Sequence, residues 1–463
     1  MRIPKTPPHI AYLFKTVGTD QKKFLEVMQS VRSGTSGNYM HWDDLLYRKP
    51  PEGLTHEEWW LGLKMARISA ANMVHSMLDK KEGAFSYNLA EPIPERLHEI
   101  DLRAGGRIEM PSQVTNPETR DRYYIESQIE EAITSSQLEG ASTTRRVAKQ
   151  LIRSGRRPRG RSETMIFNNY LTMKLIVELK TEKMTPDLVL HIHENVTRNT
   201  LDDPTAAGRF RSSSEDIYVA DREDQVIHRP PHADTLQERM ESMCAFANGA
   251  SEEPFIHPVL RSIILHFWLG YDHPFVDGNG RCARALFYWS MLHHGYWLCE
   301  YISISRILLK APVQYGMSFL YTETDDNDLT YFLRYHLDVI RRSIEELHCF
   351  IGKKTEQLKQ LESLVQNLDA FNHRQRDLLS HAMRHPGHQY TIKAHQTLHD
   401  VVYETARTDL MELQKRGLFL LEKQGRKWVF TAPEDLEVRL GGGRIGSFKT
   451  IQCVIQRILT SSP

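Results

Sequence analysis

Very little in this 463-residue chain favours a disulfide-stapled, membrane-spanning or zinc-folded protein. Its five cysteines (Cys244, Cys282, Cys299, Cys349, Cys453) are odd in number, widely spaced and free of any C-x-x-C. That usage fits a reducing compartment and lacks zinc-ribbon spacing. Net charge is also missing: lysine plus arginine equal aspartate plus glutamate at 59 each. No global field therefore recruits nucleic acid or acidic membranes, although a local patch can. The densest apolar run, Ile263 to Trp268, is interrupted by His266 and far too short to span a bilayer. Met-Arg-Ile-Pro-Lys-Thr-Pro-Pro at the start lacks the apolar region of a signal peptide. A cytoplasmic protein with no membrane partner is expected. Internal repeats and low-complexity tracts are absent. The 22 histidines do not assemble a metal motif. His191-Ile-His193-Glu194-Asn195 is not H-E-x-x-H, and His293-His294 has no matching ligand cluster.

What is present is concentrated in one stretch, His273-Pro-Phe-Val-Asp277-Gly278-Asn279-Gly280-Arg281-Cys-Ala-Arg284. The glycines flanking Asn279 free the backbone for positive φ, so that successive N–H groups can converge on one anion. Downstream, Arg281 to Leu292 reads as a helix without Gly or Pro, and the loop therefore feeds a helix N-terminus that favours phosphate. Arg281 and Arg284 share a face of its first turn, where cations are locally unfavourable unless they meet a polyanion. His273 can take a proton from an incoming hydroxyl, and the Asp277 carboxylate can hold Mg²⁺ against phosphate oxygens. The parts describe phosphoryl or nucleotidyl transfer, which is mostly positioning and charge neutralisation.

These residues resemble the core motif of the Fic (filamentation induced by cAMP) family, H-x-F-x-[DE]-G-N-G-R-x-x-R, at every specified position. The resemblance implies a protein adenylyltransferase, which moves AMP from ATP to a hydroxyl side chain of a target protein and releases pyrophosphate. By motif position His273 is the base and Asp277 binds the Mg²⁺ bridging the inner phosphates. Gly278, Asn279 and Gly280 form the anion hole, Arg281 contacts the inner phosphates and Arg284 the γ-phosphate. The target is a protein with a Ser, Thr or Tyr hydroxyl, the chain itself included.

A second element sharpens the resemblance. Ser135-Ser-Gln-Leu-Glu139-Gly140 is similar to the inhibitory motif [ST]-x-x-x-E-[GN] of autoinhibited Fic proteins. Ile125, Ile129, Ile133 and Leu138 recur at helical spacing, predicting a helix over 122–139 with Gly140 as its left-handed cap. A carboxylate at a helix C-terminus opposes the dipole, so Glu139 needs a cationic partner. The resemblance names Arg284. An arginine tied to Glu139 cannot also hold the γ-phosphate.

The expected fold is mainly α: a helical N-terminal region (1–105), a Fic-type core (106–350), a helical linker (351–371), a winged helix (372–433) and a tail (434–463). Two short apolar pieces around 217–219 and 226–228 suggest a small hairpin. In Fic proteins this hairpin, the flap, aligns the target by strand addition, which assigns Ile217, Tyr218 and Val219 to target docking. Tyr315 and Phe332 are candidates for the adenine pocket. In the winged helix, Arg407, Lys415, Arg416, Arg426 and Lys427 could meet DNA phosphates. Asp400, Glu404, Asp409 and Glu412 nearly neutralise its third helix, which favours protein contact or a homodimer. Arg153 to Arg161 carries five arginines in a Gly/Pro-bearing stretch that reads first as a solvated connector and otherwise as a docking patch for an acidic target or nucleic acid. Three alternatives remain: AMP removal with Glu139 positioning a water, another nucleotide donor, and a DNA-binding regulator whose core senses nucleotide.

Overall fold

The computed structural model describes residues 2–17, 20–32, 39–105, 117–221, 223–250, 253–366, 370–385, 387–424, 427–433, 435–436 and 439–440. Two compact units emerge, one formed by residues 1–108 with 126–345, the other by 109–125 with 346–463. The described chain is mainly helical, as its patterning predicts.

In the first unit α1 (Ile10–Val17), α2 (Gln21–Arg32), α3 (Trp42–Leu45) and α4 (His56–Ser69) surround Trp42, Trp60 and Leu61. Thr55 and Glu58 close a capping box that fixes where α4 begins. The helical N-terminal region also holds two strands. β1 (Asn72–Leu78) and β2 (Ala84–Tyr87) form an antiparallel hairpin, with Asp79 accepting from the Lys81 and Gly83 N–H groups in its turn. Apolar residues at 73, 74, 77 and 78 also fit a helical template, so periodicity alone misreads this strand. The hairpin is fixed by packing: Phe85 is fully buried and lies edge-on to Phe267 and Tyr271, at 5.6 and 5.2 Å between centroids.

α5 (Ile93–Ile100) follows, then α6 (Pro117–Leu138), α7 (Arg145–Ser154), α8 (Gly160–Glu178) and α9 (Pro186–Thr197). Thr144 and Thr185 cap α7 and α9, and Gly155 ends α7 at φ +64°. The second hairpin is minimal, β3 (Val219–Ala220) pairing with β4 (Val226–His228). Ile217 and Tyr218 lead into β3 rather than belonging to it. α10 (Leu236–Ala247) leads to the core pair α11 (Pro258–Asp272) and α12 (Asn279–His293), which is buried along most of its length. Ser262 donates to Ser290 across the pair at 2.8 Å, marking close approach. The motif loop joins these two helices, so a deeply buried pair carries it. α13 (Ile304–Lys310), α14 (Pro312–Thr324) and the start of α15 (Thr330–Gln366) complete the unit.

In the second unit, α16 (His373–Arg384), β5 (Gln389–Thr391), α17 (Ile392–His399), α18 (Tyr403–Lys415), β6 (Leu420–Gln424) and β7 (Lys427–Thr431) follow α15. The sheet order is β5-β7-β6, antiparallel throughout, so one strand joins the hairpin that the sequence suggests. Leu379, Ala406, Leu410, Leu413, Phe419 and Phe430 form its core. Asp409 is buried and accepts from Arg374, Asn372 and His395, holding α18 against α16. It is therefore an internal partner and not one of the charges that α18 presents outward. Arg426, the Lys427 side chain and most of the tail lie outside the described residues, as do residues 106–116 of the expected core.

Candidate active site

α11 ends at His273, which adopts a left-handed φ of +44° while its N–H donates to Leu269 O at 3.0 Å. Its Nδ1 lies 3.3 Å from the Gly270 carbonyl. That contact favours the proton on Nδ1 and leaves the Nε2 lone pair as acceptor. Burial pushes the imidazole down to about 4, only partly offset by the Gly270 carbonyl. His273 is therefore neutral at pH 7, the state a proton acceptor needs.

The loop after His273 is braced from three directions. Phe275 is fully buried and stacks on His193 at 3.8 Å. His193 Nε2 meets the Asp277 carbonyl at 2.9 Å while its Nδ1 accepts the Gly208 N–H at 3.0 Å, so the two bonds together place the proton on Nε2. Arg211 donates from Nε to the His273 carbonyl at 2.9 Å and from Nη2 to that of Pro231 at 2.5 Å. Residues 211 and 231 flank the β3–β4 hairpin, so one guanidinium ties both ends of that segment to the loop. His228 of β4 adds a bond to the Tyr271 carbonyl at 2.7 Å.

Gly278 has φ +89°, and a Cβ there would stand 2.6 Å from Thr197 Cγ2, which reserves the position for glycine. Asn279 opens α12. Its side chain donates to Phe275 O at 2.8 Å and accepts Phe275 N at 2.9 Å, so it clamps the loop. Gly278 supplies no side-chain cap to α12, and a helix start of this kind favours an anion.

Arg281 is fully buried. Its Nη1 donates to Val196 O at 3.0 Å, yet Nε and Nη2 have no hydrogen-bond partner among the described residues. Asp277 Oδ1 is 3.6 Å from Nη2. Buried unpaired guanidinium N–H groups are costly, and a phosphate placed against them would satisfy them. Asp277 itself is 37% exposed, with Arg161 Nη2 3.3 Å from its other oxygen. No group of three or more metal ligands occurs among the described residues. A single accessible carboxylate nevertheless fits Mg²⁺, which takes one or two carboxylates with substrate phosphates and waters.

Arg284 is buried and bonded through Nε and Nη2. Nε donates to Ser135 Oγ at 2.8 Å, and Nη2 donates to Ser135 O at 3.0 Å and Glu139 Oε1 at 2.8 Å. Burial opposes charge on Arg284, but Glu139 first, then Tyr315 and Glu131, more than offset it and raise its pKa. α6 ends at Leu138 and Gly140 follows at φ +88°, which turns Glu139 inward. The carboxylate lies over the loop: a Cβ on Gly280 would meet Glu139 Oε1 at 2.1 Å and Arg284 Nη1 at 3.1 Å. Gly280→Ala in the Glu139→Gly background, where no carboxylate competes for Arg284, should lower ATP affinity in calorimetric titration; affinity equal to that of Glu139→Gly alone would place the nucleotide away from Gly280.

The sequence reading overlooks what docks α6. Glu131 is 1% exposed, and its carboxylate accepts from Tyr288 Oη at 2.9 Å, Ser303 Oγ at 2.8 Å, Ser305 N at 3.1 Å and Ser305 Oγ. The opposite side of α6 packs Ile129, Ala132 and Ile133 against Ala148, Met165 and Ile166. Glu131→Ala would strand buried donors at roughly 1–3 kcal/mol each. The expected result is a urea midpoint clearly below wild type; an unchanged midpoint would show that Glu131 does not hold the helix.

Of the two adenine-pocket candidates, Tyr315 stands beside Arg284 and Phe332 lies in the core. Phe332 is fully buried, stacked on His336 at 3.8 Å and edge-on to Phe319, within an aromatic core. Tyr315 is half-buried and its hydroxyl meets His266 Nε2 at 2.8 Å. Burial pushes that phenol up to about 12. Ile217, Tyr218 and Val219 are partly or largely exposed, with the Arg229 guanidinium 5.5 Å from the Tyr218 ring.

A buried helix pair presents a neutral histidine, an accessible carboxylate and unpaired guanidinium N–H groups around one glycine-flanked loop, the arrangement of a phosphate-handling site. Residues 183–291, which include the whole loop, match the model of the Fic/DOC family. Among curated proteins, it is 26% identical over 166 residues to the protein adenylyltransferase Fic of Nematostella vectensis, covering 36% of this chain and 34% of that protein. It is 31% identical over 115 residues to protein adenylyltransferase fic-1 of Caenorhabditis elegans, covering 25% and 20%. The chain therefore spans about a third or less of the length of these relatives. Among solved structures, Fic-1 of C. elegans aligns with a TM-score of 0.48 at 18% identity over 74% of this chain and 90% of that one. A Fic family protein from Desulfovibrio desulfuricans G20 aligns with a TM-score of 0.46 at 19% identity over 74% and 94%.

Proposed function

We propose that this chain is an autoinhibited protein adenylyltransferase that moves AMP from ATP to a hydroxyl of a target protein. The observation that carries this reading is the Glu139 carboxylate lying over Gly280 and bonded to Arg284, beside the unpaired N–H groups of Arg281. Together they outline a phosphate site held shut by an internal anion. Curated relatives named protein adenylyltransferase support the choice of reaction.

In this reading His273 Nε2 takes the proton of the target hydroxyl as its oxygen attacks the α-phosphorus of ATP. The bond to the β-phosphate breaks and pyrophosphate leaves. Backbone N–H groups of Gly278 to Gly280 and the Nε and Nη2 of Arg281 stabilise charge on the inner phosphates. Arg284 takes the γ-phosphate once Glu139 releases it. Asp277 would hold Mg²⁺, whose charge neutralises the phosphates when it is bound. The target segment adds to β3, which pairs with β4 on one side only, and Ile217, Tyr218 and Val219 align it. Acceptor hydroxyls of the chain itself are further substrates. In the second unit, exposed Leu398, Val402, Tyr403 and Trp428 fit a protein contact better than a phosphate backbone.

Incubation with ATP labelled at the α- or the γ-phosphate tests the reaction. Protein-bound label from the α position alone supports AMP transfer, and label from the γ position would replace it with phosphoryl transfer.

A further inference from the structure

From Arg145 to Arg161 the chain carries eight basic residues and no acidic one, in a protein whose overall charge is zero. Part of this surplus forms a broad open face on α7, lined by Arg145, Arg146, Lys149 and Arg153. Three of these cations already grip carboxylates of α6. Arg145 bonds Glu130, with Nε at 2.9 Å from Oε1, and Lys149 lies 3.0 Å from both Glu126 Oε2 and Glu130 Oε1. Arg153 pairs with Glu126. Glu126 and Glu130 are four residues apart on the helix that carries Ser135 and Glu139. The face thus binds two carboxylates at one helical repeat, and those carboxylates belong to the element that occupies Arg284.

Arginines 145 and 153 are more than half exposed, so these pairs exchange with solvent and each contributes little stability. A competing anion can therefore take the cations. Arg146 lies on the same face and makes no ion pair among the described residues, leaving one cation ready for a newcomer. The stretch 145–161 has no aromatic residue, so it offers no platform on which single-stranded bases could stack.

We propose that this face of α7 docks an acidic protein segment with carboxylates at helical i, i+4 spacing, which takes Arg145, Lys149 and Arg153 from Glu126 and Glu130 and loosens α6. The consequence for activity, release of Arg284 from Glu139, rests on the adenylyltransferase reading. The docking and the loosening do not.

The probe is a fluorescent helical peptide with glutamate at every fourth position, titrated into the full chain, with a glutamine version as control. Binding should weaken with salt and fall about tenfold in Arg146→Glu, which leaves the pairs to α6 in place. Hydrogen exchange of the 126–138 amides should quicken with the glutamate peptide and not with the glutamine one. Equal binding of the glutamine peptide would overturn the proposal. So would binding of duplex DNA or RNA in place of the acidic peptide, or acidic-peptide binding with unchanged exchange. Exchange is read without nucleotide, so an inactive Glu139→Gly variant would sink the adenylyltransferase reading alone.

Discussion

Glu139→Gly should raise AMP incorporation about 10- to 100-fold over wild type, the range set by one charge-assisted hydrogen bond of roughly 1.5–3 kcal/mol. The argument is competitive. Arg284 is 1% exposed and spends Nη2 on Glu139 Oε1 and Ser135 O, and the Glu139 oxygen fills the space above Gly280. Removing the carboxylate leaves a buried guanidinium with donors to satisfy and opens the space where a γ-phosphate would sit. Holding a two-state site about 99% closed takes roughly 2.7 kcal/mol, so this pair with the Ser135 bonds is of the right size. Affinity for ATP should rise with the rate, because the same arginine serves both. Rates and affinity both equal to wild type would remove Glu139 from any inhibitory role.

His273→Ala, placed in the Glu139→Gly background, should lower transfer about 10²- to 10⁴-fold and leave ATP affinity within a few-fold. The imidazole contributes no contact to the phosphate cradle; its place is at the α11 terminus, with the lone pair on Nε2. The pH profile carries the same assignment. Burial holds His273 near 4, so it stays neutral and able to accept a proton at every pH above that value. Transfer should therefore persist well below pH 6.5 and decline only as pH falls toward 4, where the ring gains its proton. A decline centred on an ordinary histidine value would mean that His273 is exposed and charged more easily than its surroundings imply. Loss of ATP binding in His273→Ala would instead assign it a nucleotide-holding role.

The motif loop was legible because its chemistry is local. Glycines at 278 and 280, the helix that starts at Asn279 and two arginines three apart fix a sharp loop and a cationic helix start within one turn of backbone. Gly140 and the helix ahead of it were legible for the same reason, since the left-handed cap is written next to the apolar stripe. The partners of these elements were not. Glu139 meets Arg284 across 145 residues of sequence, and only family resemblance brought them together in advance. His193, Arg211 and Glu131 escaped notice because each acts by bracing a backbone or a helix far along the chain. His193 stood in a segment that resembled a failed metal motif, and Glu131 was one acid among several in a polar helix. Asp409 was counted as surface charge, although packing turns it inward. Phe332 is fully buried against Phe319 and His336, a packing that its sequence neighbours do not announce. Side-chain type reports what a residue can do, and only tertiary packing decides which way it faces.

The central claim is that a transfer site built on His273 is shut by Glu139. It is tested most directly by labelling the wild-type chain, Glu139→Gly and the Glu139→Gly/His273→Ala double variant with α-³²P-ATP in one experiment. The account predicts faint label in the wild type, strong label in the single variant and none above background in the double variant. Equal label in all three, or none in folded Glu139→Gly protein, would contradict it.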